Sequence, residues 1–228
     1  EQSIPCTVER LEERAARKTT GMVYDRLFVR HWDSWKDGRR NHIFRIPLDG
    51  DTAGTPVDLM PGVDADSPTI PWGGAGDYTI SPDDRWLVYT AKVADGSEEV
   101  WSTDWDLWVV PTDGSKAPRC LTEENEAWDA SPTFSPDGRT LAYVAMARPG
   151  YEADRYRVTL MDWESRSIRN LTERWDRSPG SVTWSPDGKA LYASAANIGN
   201  TSIFRIDPSD GMVSAVVTRH TNSSPNPL

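Results

Sequence analysis

Two cysteines and three histidines are too few to sustain several kinds of chemistry. Cys6 and Cys120 cannot build a disulfide scaffold, and neither they nor His31, His42 and His220 fall at metal-ligand spacing. A Cys6 to Cys120 bridge is left open by the count alone. No apolar run approaches the ~18 residues needed to span a bilayer. The first residues have neither the basic start nor the apolar core of a signal peptide, so any export signal is expected outside this stretch. The catalytic signatures are absent too. There is no Gly-x-Ser-x-Gly elbow, no phosphate-binding Gly-x-x-x-x-Gly-Lys, no complete Gly-x-Gly-x-x-Gly and no His-Glu-x-x-His. No catalytic residue, cofactor or metal is therefore expected. Positive charge is scarce as well: 25 Lys and Arg stand against 35 Asp and Glu, a net charge of −10, so the overall field repels nucleic acid and anionic membrane.

What the sequence has in place of these is a repeat. Ser135-Pro136-Asp137-Gly138-Arg139-Thr140-Leu141-Ala142-Tyr143 has near copies beginning at Ser81 and Ser185, so the starting serines lie 54 and 50 residues apart. Proline presets φ for a type I turn, aspartate follows comfortably, and glycine accepts the left-handed conformation leading into the next strand. Asp84 takes the glycine position in the first copy, which an Asx residue tolerates. Two further marks keep step with the hairpin. Asp-x-Ser-Pro precedes it at Asp129 and Asp176, more loosely at Asp64 to Pro68, and Leu-Thr closes the unit at Leu121-Thr122 and Leu171-Thr172, with Val217-Thr218 in the same role. Strand-rich units of this length indicate an all-β chain, a partial β-propeller of about three and a half to four blades, each of four antiparallel strands. The four Trp-Asp dipeptides fall at no single strand end, which fits a WD-repeat protein poorly. Eleven tryptophans are expected to fill the wedges between blades rather than to stack on sugar.

In chain order, residues 1–21 form an N-terminal segment with a short charged helix over Thr7 to Lys18, capped by Thr7 and ended by Gly21. Residues 22–60 read as a blade lacking its first strand, with strands at 26–31, 41–47 and 56–60 and a hairpin loop turning at Asp37-Gly38. Residues 61–122 hold a long Pro/Gly segment and a blade with an inserted Glu-Glu loop between its second and third strands. Residues 123–172 and 173–218 are further blades, and 219–228 read as a mobile tail. An incomplete ring has open strand edges and blade faces, so self-association or a missing partner segment is expected.

The candidate binding residues are Glu98, Glu99 and Trp101 on that inserted loop. Adjacent carboxylates beside an aromatic wall suit a cationic group such as a peptide's free amino terminus, although a solvated acidic loop would read the same way. His31-Trp32-Asp33 and the loop Gly150 to Asp154 are weaker candidates.

The Ser-Pro-Asp-Gly-(Arg/Lys)-x-Leu-x-Tyr hairpins resemble the propellers of the prolyl oligopeptidase family of serine peptidases and of periplasmic TolB-like proteins. The segments Thr20 to Trp35, Glu98 to Asp104 and Ala145 to Arg155 are similar to peptidases of the dipeptidyl-peptidase V and acylaminoacyl-peptidase type, with the likeness running from about Cys6 to Asp207. The resemblance implies a non-catalytic propeller over an α/β-hydrolase domain that carries the Ser, Asp and His triad and is missing here. It implies short peptide substrates releasing dipeptides or acyl-amino acids, gating of their access, and docking of their amino ends. It also implies a periplasmic or secreted parent, in which Cys6 could pair with a cysteine upstream. Glu98-Glu99 resembles the paired glutamates by which dipeptidyl peptidases bind an amino terminus, though here the pair precedes a third strand rather than a hairpin. The rival reading is a TolB-like protein-binding scaffold without enzymatic activity; a glycan-binding or polysaccharide-lyase propeller is disfavoured by the acidic charge.

Overall fold

The computed structural model describes residues 3–27 and 29–220. It contains three four-stranded antiparallel sheets, each a simple meander. The first runs β7 (Tyr78–Ile80), β8 (Trp86–Ala91), β9 (Asp106–Pro111) and β10 (Arg119–Cys120). The second is β11 (Asp129–Phe134), β12 (Thr140–Ala145), β13 (Arg157–Asp162) and β14 (Ile168–Asn170). The third is β15 (Pro179–Trp184), β16 (Leu191–Asn197), β17 (Asn200–Ile206) and β18 (Val213–His220). These are propeller blades, as the repeat predicts. Strand β18 runs through His220, two residues into the expected tail, and residues 221–228 lie outside the described part.

Each hairpin is closed by the same pair of side chains. The Ser81, Ser135 and Ser185 hydroxyls donate to Asp83, Asp137 and Asp187 at 2.5, 2.6 and 2.6 Å. Each serine oxygen in turn accepts the backbone N–H five residues on, from Trp86, Thr140 and Ala190. The left-handed position is filled by Asp84 (φ 60°), Gly138 (φ 71°) and Gly188 (φ 70°), as expected. The threonine of the Leu-Thr mark ties the outer strand to the third, since Thr122 Oγ1 accepts from Leu107 N and Thr172 Oγ1 from Val158 N. In the Asp-x-Ser-Pro element the register slips between Ala130 and Thr133, a bulge that accommodates a proline within the strand.

Strands buried on both faces need apolar residues at successive positions, and β8 and β12 have them. On β12, Leu141, Tyr143 and Ala145 pack with Val88, Leu107 and Val109 of the first sheet. The alternate residues Ala142 and Val144 pack with Val182, Trp184 and Leu191 of the third. Tryptophans fill the same seams: Trp163 meets Trp86 at 6.3 Å and Phe134 at 4.7 Å, both edge-on.

The segment before the first sheet departs from expectation. The helix α1 is Ile4–Ala15, not 7–18, because Ser3 is the cap: its backbone is extended and its Oγ accepts from Cys6 N at 3.3 Å. Pro5 suits the first turn, which leaves Thr7 inside the helix, donating its hydroxyl to the Ser3 carbonyl. Among the described residues of 22–60 the ladders are two residues long, β1 (Arg30–His31) with β2 (Ser34–Trp35), β3 (Phe44–Arg45) with β6 (Val57–Asp58), and β4 (Leu48–Asp49) with β5 (Thr52–Ala53). The first hairpin turns at Trp32-Asp33, with Trp32 at φ 48°, and not at Asp37-Gly38, since Asp37 instead accepts from Arg39. Phe44, Ile46 and Leu48 are exposed, so little apolar burial extends these pairings. The two cysteines are free, so the bridge between them does not form.

Asp129 is the most deeply buried carboxylate of the second sheet, 1% exposed. Its Oδ1 accepts from Asn125 Nδ2 at 3.0 Å, and its Oδ2 makes no hydrogen bond among the described residues. Burial pushes its pKa up to about 8, with Asp106 and Asp104 adding repulsion.

Two measurements check this account. Ser135→Ala strips the half-buried Thr140 N–H of its acceptor and should lower unfolding free energy by about 1 kcal/mol in urea titration; an unchanged midpoint would refute the role given to the serine. For Asp129 the folded-state pKa is raised above the unfolded ~4, so its stabilising contribution is complete below that value and lost as pH rises towards 8. Asp129→Asn, which keeps an acceptor for Asn125, should therefore stabilise the protein at pH 8.5 and have far less effect at pH 5. Equal effects at both pH values would contradict a buried, proton-bearing Asp129.

Candidate functional site

The loops at one end of the three sheets, with the β1–β2 hairpin and the chain after it, enclose a cavity of about 700 Å³. That lies within the usual range for small-ligand sites. The first sheet supplies Lys92 after β8 and Trp105 before β9. The second supplies Trp128 before β11 and Glu152 and Tyr156 before β13. The third supplies Pro179 and Gly180 at the start of β15. Trp35, Lys36 and Arg40 come from the segment following β1.

Two features dominate the wall. One is a run of rings: Trp105 and Trp128 stack at 5.1 Å and 20°, and Tyr156 meets Trp128 edge-on at 6.3 Å. A parallel bridge between Trp105 and Trp128 holds the stack across the boundary between the first two sheets. The other is a charge cluster. Glu99 Oε1 accepts from Lys36 Nζ and from Arg40 Nη1, the latter at 2.9 Å. Arg40 also reaches Asp66 Oδ2 at 3.0 Å and Asp64 Oδ1 at 2.9 Å. Burial alone would raise the Glu99 pKa, but Arg40 and Lys36 outweigh it and hold the carboxyl below its ordinary range. Burial likewise opposes the Arg40 charge and is overcome by Glu99, Asp64 and Asp66, which leaves its pKa raised.

The three residues singled out in the sequence separate here. Their insertion is not all loop: Glu98–Trp101 form a short helix, α2, whose two acidic residues lie in the first turn, where the backbone N–H groups favour negative charge. Successive helical residues point roughly 100° apart, so the adjacent glutamates cannot face one ligand together. Glu99 reaches the cavity, Glu98 is exposed, and Trp101, 77% exposed, is not on the wall. Of the weaker candidates, His31 and Glu152 line the cavity. The Glu152 loop is anchored by Gly150 N to Thr103 Oγ1 at 2.8 Å and by Asp154, which accepts from Ala147 N and Arg148 N. Among the described residues no hydrogen bond or ion pair engages Glu152.

Sequence reasoning missed Lys36, Arg40, Lys92, Trp105, Trp128 and Tyr156. Only the recurring Trp-Asp dipeptides at Trp105 and Trp128 gave a visible signal. Among the described residues no group of three or more His, Cys, Asp or Glu is placed to hold a metal ion, and no helix is long and apolar enough to cross a membrane.

No protein-family profile matches the chain. Curated proteins do. The chain is 32% identical over 226 residues to dipeptidyl-peptidase 5 of Aspergillus fumigatus and 34% identical over 224 residues to that of Trichophyton equinum. Each match covers 90% of this chain and 31% of the relative, so the chain spans about a third of the length of the proteins it resembles. Among solved structures, TolB of Acinetobacter baumannii aligns at TM-score 0.51 and 16% identity over 81% of this chain and 43% of its own. A puromycin hydrolase aligns at TM-score 0.58 and 20% identity over 78% of this chain and 28% of its own. These two likenesses bear on the fold, and the dipeptidyl-peptidase 5 matches bear on ancestry. By repeat, fold and sequence together, the chain is a β-propeller portion similar to about a third of dipeptidyl-peptidase 5.

Proposed function

We propose that this chain is the substrate-handling part of a serine peptidase resembling dipeptidyl-peptidase 5, with hydrolysis carried out by an α/β-hydrolase domain outside it. The cavity admits short peptides, excludes folded ones by its size, and holds the free amino end against its carboxylates. An extracytoplasmic location of the whole protein belongs to the same reading.

The observation that carries the docking role is the coexistence, in one cavity of about 700 Å³, of carboxylates and an aromatic wall. An ammonium group offers three donors and gains most from a carboxylate that is not already engaged. Glu99 is shared between Lys36 and Arg40, so an incoming amine must compete with both. Glu152, with no hydrogen bond or ion pair among the described residues, is the readier acceptor. In this reading Glu99 fixes the shape and charge of the wall, and Glu98 contributes nothing direct.

Binding of the tripeptide Ala-Ala-Phe and its N-acetyl counterpart, followed through tryptophan fluorescence, tests this. The free amine should bind about tenfold more tightly, equivalent to ~1.4 kcal/mol. Glu152→Gln should remove most of that preference, while Glu98→Gln leaves it intact. Equal affinity for the two peptides would overturn the docking role.

A further inference from the structure

Lys92 differs from the other cations of the cavity. Lys36 and Arg40 each face carboxylates at ion-pair distance, Glu99 and Asp66 among them. Among the described residues the Lys92 ammonium has one hydrogen-bond acceptor, the Ser102 carbonyl, and it lies 5.7 Å from the centre of the Trp105 ring. No carboxylate among the described residues makes a hydrogen bond or ion pair with it. Glu99, Glu152 and Asp104 act on it only through space, and burial outweighs them, lowering its pKa.

A half-buried ammonium with one neutral acceptor is an unbalanced group. Removing a charge from water is costly unless a counter-charge or a full set of hydrogen bonds replaces the lost hydration. Two of its three donors remain for a ligand, and a cation on a wall of the cavity can reach a group that enters there. Beside it, the Trp105–Trp128 stack presents flat apolar surface suited to a side chain adjoining that group.

We propose that Lys92 is a carboxylate subsite: it receives a carboxylate of the bound peptide while an apolar or aromatic side chain of the same peptide lies along Trp105 and Trp128. This rests on the peptide-docking reading above and adds that the ligand is recognised as a zwitterion. The carboxylate could come from the C-terminus of a short peptide or from an acidic side chain, since both present the same acceptor geometry.

The test compares Ala-Ala-Phe, its C-terminal amide and Ala-Glu-Phe amide on this chain by tryptophan fluorescence, with Lys92→Met and Lys92→Arg beside the unsubstituted protein. The free acid should bind about tenfold more tightly than the neutral amide, a difference that Lys92→Met abolishes and Lys92→Arg retains. Recovery of affinity by Ala-Glu-Phe amide, dependent on Lys92, supports the subsite and identifies a side-chain source; no recovery, with the free acid still favoured, supports it with a C-terminal source. Equal affinity for acid and amide, or a preference that survives in Lys92→Met, overturns the subsite. If the preference for a free amino group persists in that case, the docking reading stands without it. If none of the peptides binds, both fall.

Discussion

The need of central strands β8 and β12 to bury both of their faces governs this structure. A sheet with apolar residues at successive positions cannot present either face to water, so it must stand between two others, and that sandwiching makes a ring segment out of four-stranded meanders. Strand β12 shows the constraint most directly, with Leu141, Tyr143 and Ala145 committed to one neighbour and Ala142 and Val144 to the other. Because the sheets are stacked side by side, their connecting loops gather at one end, where residues separated by more than a hundred positions come to line a single cavity. Lys36, Trp128 and Gly180 share that wall for no other reason.

The fold was legible wherever its determinants are local. The Ser-Pro-Asp-Gly turn uses a hydrogen bond between residues two apart and a second reaching five, so its pattern survives as a readable string in all three copies. The helix was displaced because Ser3 and Pro5 compete with Thr7 for the cap, and the nearer start won. Residues 22–60 carry strand-like composition but pair over only two residues at a time, which composition cannot reveal. The site was less legible still. Glu98-Glu99 looks like a pair on paper, yet helical geometry turns the two apart, and the groups that decide the state of Glu99 lie 59 and 63 residues away at Arg40 and Lys36. Lys92 lies one residue beyond an apolar strand, without a motif around it, and acquires its character only from the loops that fold over it.

The charge cluster explains which residues are free to recognise anything. Arg40 is bonded to Glu99, Asp64 and Asp66, and the Asp66 side chain is 7% exposed. Removing the guanidinium would take the nearer cation from buried Asp66, leaving it the Asn41 N–H at 2.7 Å and Lys36 at 4.0 Å, and such a loss of a buried partner is destabilising. A ligand strong enough to draw Arg40 away would have to offset much of that loss, so the cluster acts as a rigid part of the wall. It joins the segment before the first sheet to the insertion carrying α2, and thereby closes one side of the cavity. On the proposed docking reading, recognition falls to groups whose engagement breaks nothing: Glu152, on a loop anchored by Gly150 and Asp154, and Lys92, beside the Ser102 carbonyl and the face of Trp105. The two are of opposite sign and close enough to interact electrostatically, with the ring stack between the first and second sheets beside them. A short peptide with both ends charged could balance both groups at once, whereas a long chain would lose that advantage, its far end carrying its charge beyond the cavity. Length selection of this kind would follow from electrostatics as well as from volume.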